Sequence, residues 1–229
     1  VLADFDQMHE YLHAWKPGSL SRMNEIFANS PARAAIQPGM IPIIEDATRL
    51  SAQSGGLFNP AIGNLIKLWG FQNDEFKPLR PDPAEIAKLL QSQPKMSDIV
   101  VEGIEFYSKN PAVRVDLGGY AKGFALDTAA DYLRSQGVKN ALINIGGNLI
   151  ALGQHGKRPW QVGIQHPRKA GAIATLELRD GEAVFCVRRT PSANGTSDVN
   201  PNRSRARETS SMRRGWPFGL VVSQMIVPG

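Results

Sequence analysis

The chain has 229 residues, 42% of them apolar, which suits one or two domains with a real core. It holds no run of about 18 apolar residues, so no transmembrane span is expected. A single cysteine, Cys186, excludes an internal disulfide and a cysteine-rich zinc site. The net charge of +5 is carried by seven arginines against two acids after residue 185. The remainder is neutral, and no nucleic-acid partner is expected of it.

In chain order, residues 1–16 place Phe5, Met8, Leu12 and Trp15 at spacings of three and four, the pattern of an amphipathic helix. The opening "VLADFDQMHE" has neither the basic nor the apolar region of a signal peptide. His9 and His13 share a helix face and read as a solvated pair. Pro17 and Gly18 break this helix, and Ser21 with Glu25 marks the start of the next. "PIIEDATRLSAQS" predicts a helix that Gly55-Gly56 ends. Asn59-Pro60 reads as a turn before a short apolar helix closed by Gly70. "PDPAEIAKLLQSQ" predicts a helix with Pro and Asp at its start.

The second half changes period. "AVRVDL" predicts a strand and "AKGFALDTAADYLRSQG" a helix stopped by Gly137. "KNALINI", "NLIALG", "WQVGIQ", "ATLELRD" and "EAVF" predict strands joined by short turns. The fold class is therefore α+β, with helices in the first half and a largely antiparallel sheet in the second. After about residue 185 neither period survives, and Ser, Arg, Asn and Pro dominate. Residues 186–229 are expected to be a disordered or frame-shifted tail.

Three stretches can carry chemistry. In "VDLGGYAKG" a strand feeds a Gly-Gly turn that opens a helix. Bare amides and the helix dipole favour an anion there, and Lys122 adds a full charge. Asp116 can meet a ribose, a ring N–H or a cation, and a glycine carbonyl can face a hard metal. The spacing is neither GxxxxGK[ST] nor GxGxxG, and a structural β–α turn explains it equally well. Gly146-Gly147 reads first as a hairpin turn. In "GGLFNPAIG", Phe58 can stack on a ring and Asn59 can bond a base edge. A buried Phe beside a helix-starting Asn is the plainer reading of that stretch.

Taken together and in order, "SLSRMNE", "GGLFNPAIGNLIKLWGF", "VDLGGYAKGFALD", "NALINIGGNLIALG" and "PWQVGIQHP" resemble the FAD:protein FMN transferase (ApbE) family. The resemblance covers residues 1–185 and implies an ApbE-like domain, N-terminally truncated, followed by the aberrant tail. It implies FAD as substrate and Mg²⁺ as cofactor. The FMN half of FAD passes to a Thr or Ser hydroxyl of a target protein, and AMP leaves. Typical targets are subunits of membrane NADH:quinone reductases or related complexes. The resemblance also implies a periplasmic location, often as an inner-membrane lipoprotein. A flavin-binding module without transfer activity and an FAD pyrophosphatase are the alternatives.

Residue by residue, Trp15 falls where the family has an aromatic group against the flavin nucleotide. Leu57, Phe58 and Asn59 match its FAD-contacting segment, with Asn59 where Asp is common. Asp116 and Lys122 match FAD contacts, and Gly119 matches the position whose carbonyl binds Mg²⁺. The family's C-terminal histidine and its Mg²⁺-binding Asp and Thr have no counterpart after Phe185, which implies impaired activity. No catalytic base is assigned.

Overall fold

A computed structural model describes residues 8–29, 32–35, 38–73, 79–166 and 168–185. The tail expected at 186–229 lies outside the described residues. The described residues divide into two compact units, one ending at Ala121 and the other beginning at Lys122.

In the first unit, residues 8–12 form a helical turn that ends before Pro17. Of the helix predicted over 1–16, the part before residue 8 lies outside the described residues. Helix α1 spans Ser19–Ala28 and follows Gly18, whose N–H donates to Ser21 Oγ at 2.9 Å. That bond satisfies one of the donors a helix start leaves over. Leu20, Met23, Asn24 and Phe27 are buried on one face of α1. Each large apolar group there contributes about 2 kcal/mol by leaving water. After strand β1 (Ala34–Ala35) comes helix α2 (Met40–Gln53). Its buried Met40, Ile43, Ile44 and Ala47 recur at helical spacing.

Helix α2 stops at Gly55 and Gly56, with φ of 63° and 81°. Helix α3 (Gly63–Leu68) is closed by Gly70, with φ of 74°. Gly70 N donates to the Lys67 carbonyl and Phe71 N to that of Ile66, the paired bonds of a Schellman stop. Helix α4 (Pro83–Gln91) starts as predicted, with Asp82 capping the Ala84 N–H at 2.9 Å. A 3₁₀ turn (Met96–Asp98) then leads into strands β2 (Ile99–Glu102) and β3 (Glu105–Ser108). They pair as an antiparallel hairpin, and β1 adds to β3.

Residues 112–117 depart from prediction. Instead of a strand in a ladder, they make one isolated parallel bridge, Ile62 with Arg114. The composition suits a pleated surface, and Val113, Val115 and Leu117 are indeed buried. The partner they pair with is a loop, not a strand.

The second unit opens with helix α5 (Ala121–Ser135), which buries Ala125, Leu126, Ala129, Ala130 and Leu133. Gly137 ends it at φ 76°. Strands β4 (Ala141–Ile145) and β5 (Asn148–Leu152) form a hairpin, and β8 (Ala183–Phe185) extends it. Gly146 and Gly147 are its two-residue turn, with φ of 58° and 94°. Positive φ at both positions is what a type I′ turn needs. Strands β6 (Trp160–Gln165) and β7 (Ala172–Leu178) pair separately. Leu149, Ala151, Trp160, Val162 and Leu178 form their shared core. Every ladder among the described residues is antiparallel, and helices predominate early and strands late, as predicted, with β1–β3 in the first half and α5 in the second as the exceptions.

Candidate functional site

Two of the predicted stretches, separated by more than fifty residues of chain, are fastened together. Asp116 N donates to the Pro60 carbonyl at 2.9 Å, and Arg114 N to that of Ala61 at 3.1 Å. Gly63 N returns a bond of 2.6 Å to the Arg114 carbonyl. This clasp needs a glycine, because a Cβ at position 63 would lie 2.5 Å from the Arg114 oxygen. It sets the loop carrying Leu57, Phe58 and Asn59 beside the turn carrying Asp116 and Gly119. Phe58 marks the closeness: a Cβ at Gly119 would stand 3.8 Å from the Phe58 ring.

The loop is shaped by its own sequence. Phe58 N donates to Ser54 Oγ at 2.9 Å, tying it to the end of α2. Asn59 Oδ1 accepts from Ala61 N at 3.1 Å, and its Nδ2 donates to the Pro94 carbonyl at 2.9 Å. Both ends of the Asn59 amide are thus engaged in holding the turn. Its role inside the protein is positional. Phe58 is half-buried, while Leu57 is 95% exposed. Exposure of a large apolar side chain beside this turn leaves it free to cover a ligand.

The 115–121 turn is pinned from three elements. Asn24 on α1 is buried and brackets Val115, accepting from its N–H at 2.6 Å and donating to its carbonyl at 2.9 Å. Asp46 on α2 accepts from the Tyr120 hydroxyl at 2.9 Å. The Arg49 guanidinium, with help from that hydroxyl, holds the Asp46 carboxyl below the ordinary carboxylate range. Gln72 donates from Nε2 to Asp116 Oδ2 at 2.8 Å. The buried Asp116 also accepts the Gly118 N–H on Oδ1 at 2.9 Å.

This geometry corrects the picture of a turn with bare amides. Gly118 N is spent on Asp116, and both Tyr120 N and Ala121 N are spent on the Leu117 carbonyl. The Gly119 N–H is in none of these bonds, and Gly119 is exposed. Fewer amides face an anion than the motif suggests, and Asp116 serves first as a pin. Its remaining lone pairs are what it can offer a ligand. Lys122, on the first turn of α5, is half-buried, and that burial lowers its ammonium pKa from the ordinary 10.5.

The Gly119 carbonyl belongs to the hard, neutral oxygen class that Mg²⁺ accepts. It would be a single ligand, and the described residues contain no cluster of three His, Cys, Asp or Glu to supply the rest. With the described residues alone, an ion there would need diphosphate oxygens and water to complete its shell.

The hydrogen bonds that join loop and turn do not include Trp15. Trp15 packs edge-on against His13, centroids 4.2 Å apart. Its Nε1 is buried without an acceptor among the described residues. The neighbouring histidines are not the solvated pair expected. His13 is 7% exposed and meets His9 at 5.0 Å. Its Nδ1 accepts the N–H groups of Trp15 at 3.4 Å and Lys16 at 3.2 Å. Those amides follow the helical turn over 8–12, and a buried imidazole acceptor satisfies them.

Sequence reasoning missed Asn24, Asp46, Gln72 and Arg114. Arg114 Nε is buried with no acceptor among the described residues. None of the four lies in the Gly-rich stretches; Arg114 adjoins the turn in sequence, and Asn24, Asp46 and Gln72 reach it only through the fold.

Solved structures share this α+β fold. The ApbE protein of Thermotoga maritima MSB8 superposes with a TM-score of 0.68 at 25% identity, over 80% of this chain and 59% of that one. The flavin transferase ApbE of Vibrio cholerae gives 0.63 at 26% identity, over 78% and 60%. The ApbE family model matches residues 1–187, and the chain belongs to that family. An FAD:protein FMN transferase of Rhodobacter capsulatus is 41% identical over 182 residues, 80% of this chain and 35% of that protein. One from Vibrio cholerae serotype O1 is 32% identical over 71% of this chain and 47% of its own length. The chain thus spans about a third to a half of the curated relatives it matches.

Proposed function

We propose that the protein is an FAD:protein FMN transferase. The observation that carries this reading is the 41% identity to a transferase of that name, over a stretch that includes both the loop and the turn. FAD is the substrate, and the second substrate is a protein bearing an acceptor Thr or Ser. In the reaction the acceptor oxygen bonds to the FMN-side phosphorus. The bond from that phosphorus to the AMP-side bridging oxygen breaks, and AMP departs with the electron pair. The hydroxyl proton passes to a base that the described residues do not identify.

The chain's own groups have separable parts to play. Phe58 and Leu57 shield the nucleotide from water. The Gly119 N–H and the Lys122 ammonium hold the diphosphate against the opening of α5, where they meet growing negative charge. Asp116 keeps the turn in shape. Mg²⁺, with the Gly119 carbonyl as its one ligand among the described residues, would neutralise diphosphate charge.

The acceptor is a subunit of a membrane NADH:quinone reductase or a related complex, and the location is periplasmic with an inner-membrane tether. Both follow from the family resemblance. No helix among the described residues is long and apolar enough to cross a membrane.

The test uses the full chain with FAD, Mg²⁺ and a threonine-bearing acceptor protein. AMP release together with a mass gain of one FMN on the acceptor is the expected result. AMP and free FMN in equal amounts, with the acceptor unlabelled, would make the protein a pyrophosphatase. FAD binding without AMP would leave a flavin-binding module.

A further inference from the structure

Gln72 holds a place that the transferase reading does not use. The Schellman stop at Gly70 ends α3 at a fixed point and delivers Gln72 two residues later. Its Nε2 donates to Asp116 Oδ2 at 2.8 Å. The orientation of the amide follows from this contact, because a flipped amide would set its oxygen against a carboxylate oxygen. The Gln72 Oε1 is left buried with no partner among the described residues. A buried orphan acceptor is costly, and the charge-assisted bond on the other end offsets it.

The carboxylate so held cannot rotate without breaking a second bond. Its Oδ1 accepts the Gly118 N–H, and a Cβ at Gly118 would lie only 3.0 Å from that oxygen. Gly118 in turn precedes Gly119, which lies beside Phe58. A chain of contacts therefore runs from Gln72 through the Asp116 carboxylate to the Gly118–Gly119 backbone.

We propose that Gln72 is a positioning residue for flavin-nucleotide binding: it orients Asp116, and Asp116 orients the Gly118–Gly119 turn against which FAD is held. This inference rests on the reading of that turn as the FAD site. Gln72 acts through Asp116 and not on the ligand. Its effect on FAD affinity is therefore present when Asp116 is present and absent when it is not.

The test is a double-mutant cycle on FAD affinity in the full chain, followed by flavin fluorescence, with thermal unfolding measured in parallel. Gln72→Met, nearly isosteric but without a donor, is expected to weaken FAD about tenfold. Asp116→Ala weakens it at least as much. In the Asp116→Ala background, Gln72→Met changes affinity less than about twofold. Gln72→Glu keeps the volume but sets two carboxylates face to face. It is expected to bind worse than Gln72→Met near neutral pH and to recover as acidification lets the pair share a proton.

Wild-type affinity in Asp116→Ala would sink the reading of the turn as the FAD site. Loss in Asp116→Ala with none in Gln72→Met would sink the inference alone. Equal losses from Gln72→Met in both backgrounds would also overturn it, since Gln72 would then act independently of Asp116. A lowered melting temperature with unchanged affinity would reduce Gln72 to a packing residue and overturn it too. If Gln72→Met does not fold, the acid recovery of Gln72→Glu decides, and its absence counts against the proposal.

Discussion

Replacing Asn24 by alanine tests whether the 115–121 turn is held from beneath. Asn24 is 1% exposed, and its carboxamide closes two bonds with the Val115 backbone, of 2.6 Å and 2.9 Å. Alanine leaves a buried N–H and a buried carbonyl without partners. At about 1.5 kcal/mol for each stranded group, the loss is about 3 kcal/mol. For a chain of this size that lowers the melting temperature by roughly 6–12 °C. Val115 immediately precedes Asp116, so FAD affinity is expected to fall about tenfold as the turn loosens. Circular dichroism on heating and FAD titration below the transition measure the two effects. Asn24→Asp restores an acceptor for the Val115 N–H but buries a charge, and it too is expected to destabilise. Glu25→Ala, on the exposed side of the same helix, should stay within about 0.5 kcal/mol of wild type. A melting temperature for Asn24→Ala within about 2 °C of wild type would refute the reasoning, because two stranded buried groups cannot cost so little.

Gly63→Ala drives a methyl into the Arg114 carbonyl and is expected to cost about 1–3 kcal/mol while weakening FAD binding; wild-type behaviour in urea unfolding and FAD titration would contradict the clasp. Leu57→Ser, at a 95% exposed position, should leave stability within about 0.5 kcal/mol but reduce FAD affinity, and unchanged affinity would remove Leu57 from the site. Lys122 has a folded pKa below its ordinary 10.5, so in the window between the two values the unfolded chain holds a proton that the native chain has released. Stability contributed by this group therefore rises with pH through that window. A bound diphosphate favours the protonated form, so FAD affinity should fall as pH rises through the same window. Lys122→Met should flatten that profile, and a titration series that keeps its slope in the variant would assign the effect elsewhere.

Local chemistry made much of the fold readable. Pro83 and Asp82 mark the start of α4, Gly55-Gly56 mark the end of α2, and Gly137 stops α5, each by a backbone property that needs no tertiary context. The Gly146-Gly147 hairpin turn was legible for the same reason. What could not be read depended on partners distant in sequence. "AVRVDL" has strand composition, but its ladder partner is the loop at Pro60–Gly63, which no periodicity announces. The hairpin of β2 and β3 turns on Gly103-Ile104 within a short run that breaks no clear pattern.

The candidate site divides in the same way. Phe58, Asp116 and Gly119 stand in glycine-marked stretches that the sequence flags, and the structure gathers them. Leu57, Asn59, Lys122 and Trp15 are assigned by the resemblance alone; Asn59 turns its amide inward, and Trp15 packs on His13. Asn24, Asp46 and Gln72 are ordinary helix or loop residues until folding brings them to the turn. His13 misled because a histidine in a polar stretch resembles a solvated one, whereas this one is buried and accepts two backbone amides.

The clasp also dictates when the proposed nucleotide site can arise during folding. Its strands of contact reach from Asp116 back to Pro60, and the bracket on Val115 reaches back to Asn24. A synthetic peptide copying residues 113–123 would lack every one of these supports and would have no memory of the bend. On the ribosome, no ligand of this turn can template the early helices, because the turn is assembled only after residue 117 has emerged and closed onto chain made long before. Denaturant should accordingly erase flavin affinity in step with the near-ultraviolet signal of the first unit, with no surviving pocket at intermediate concentrations.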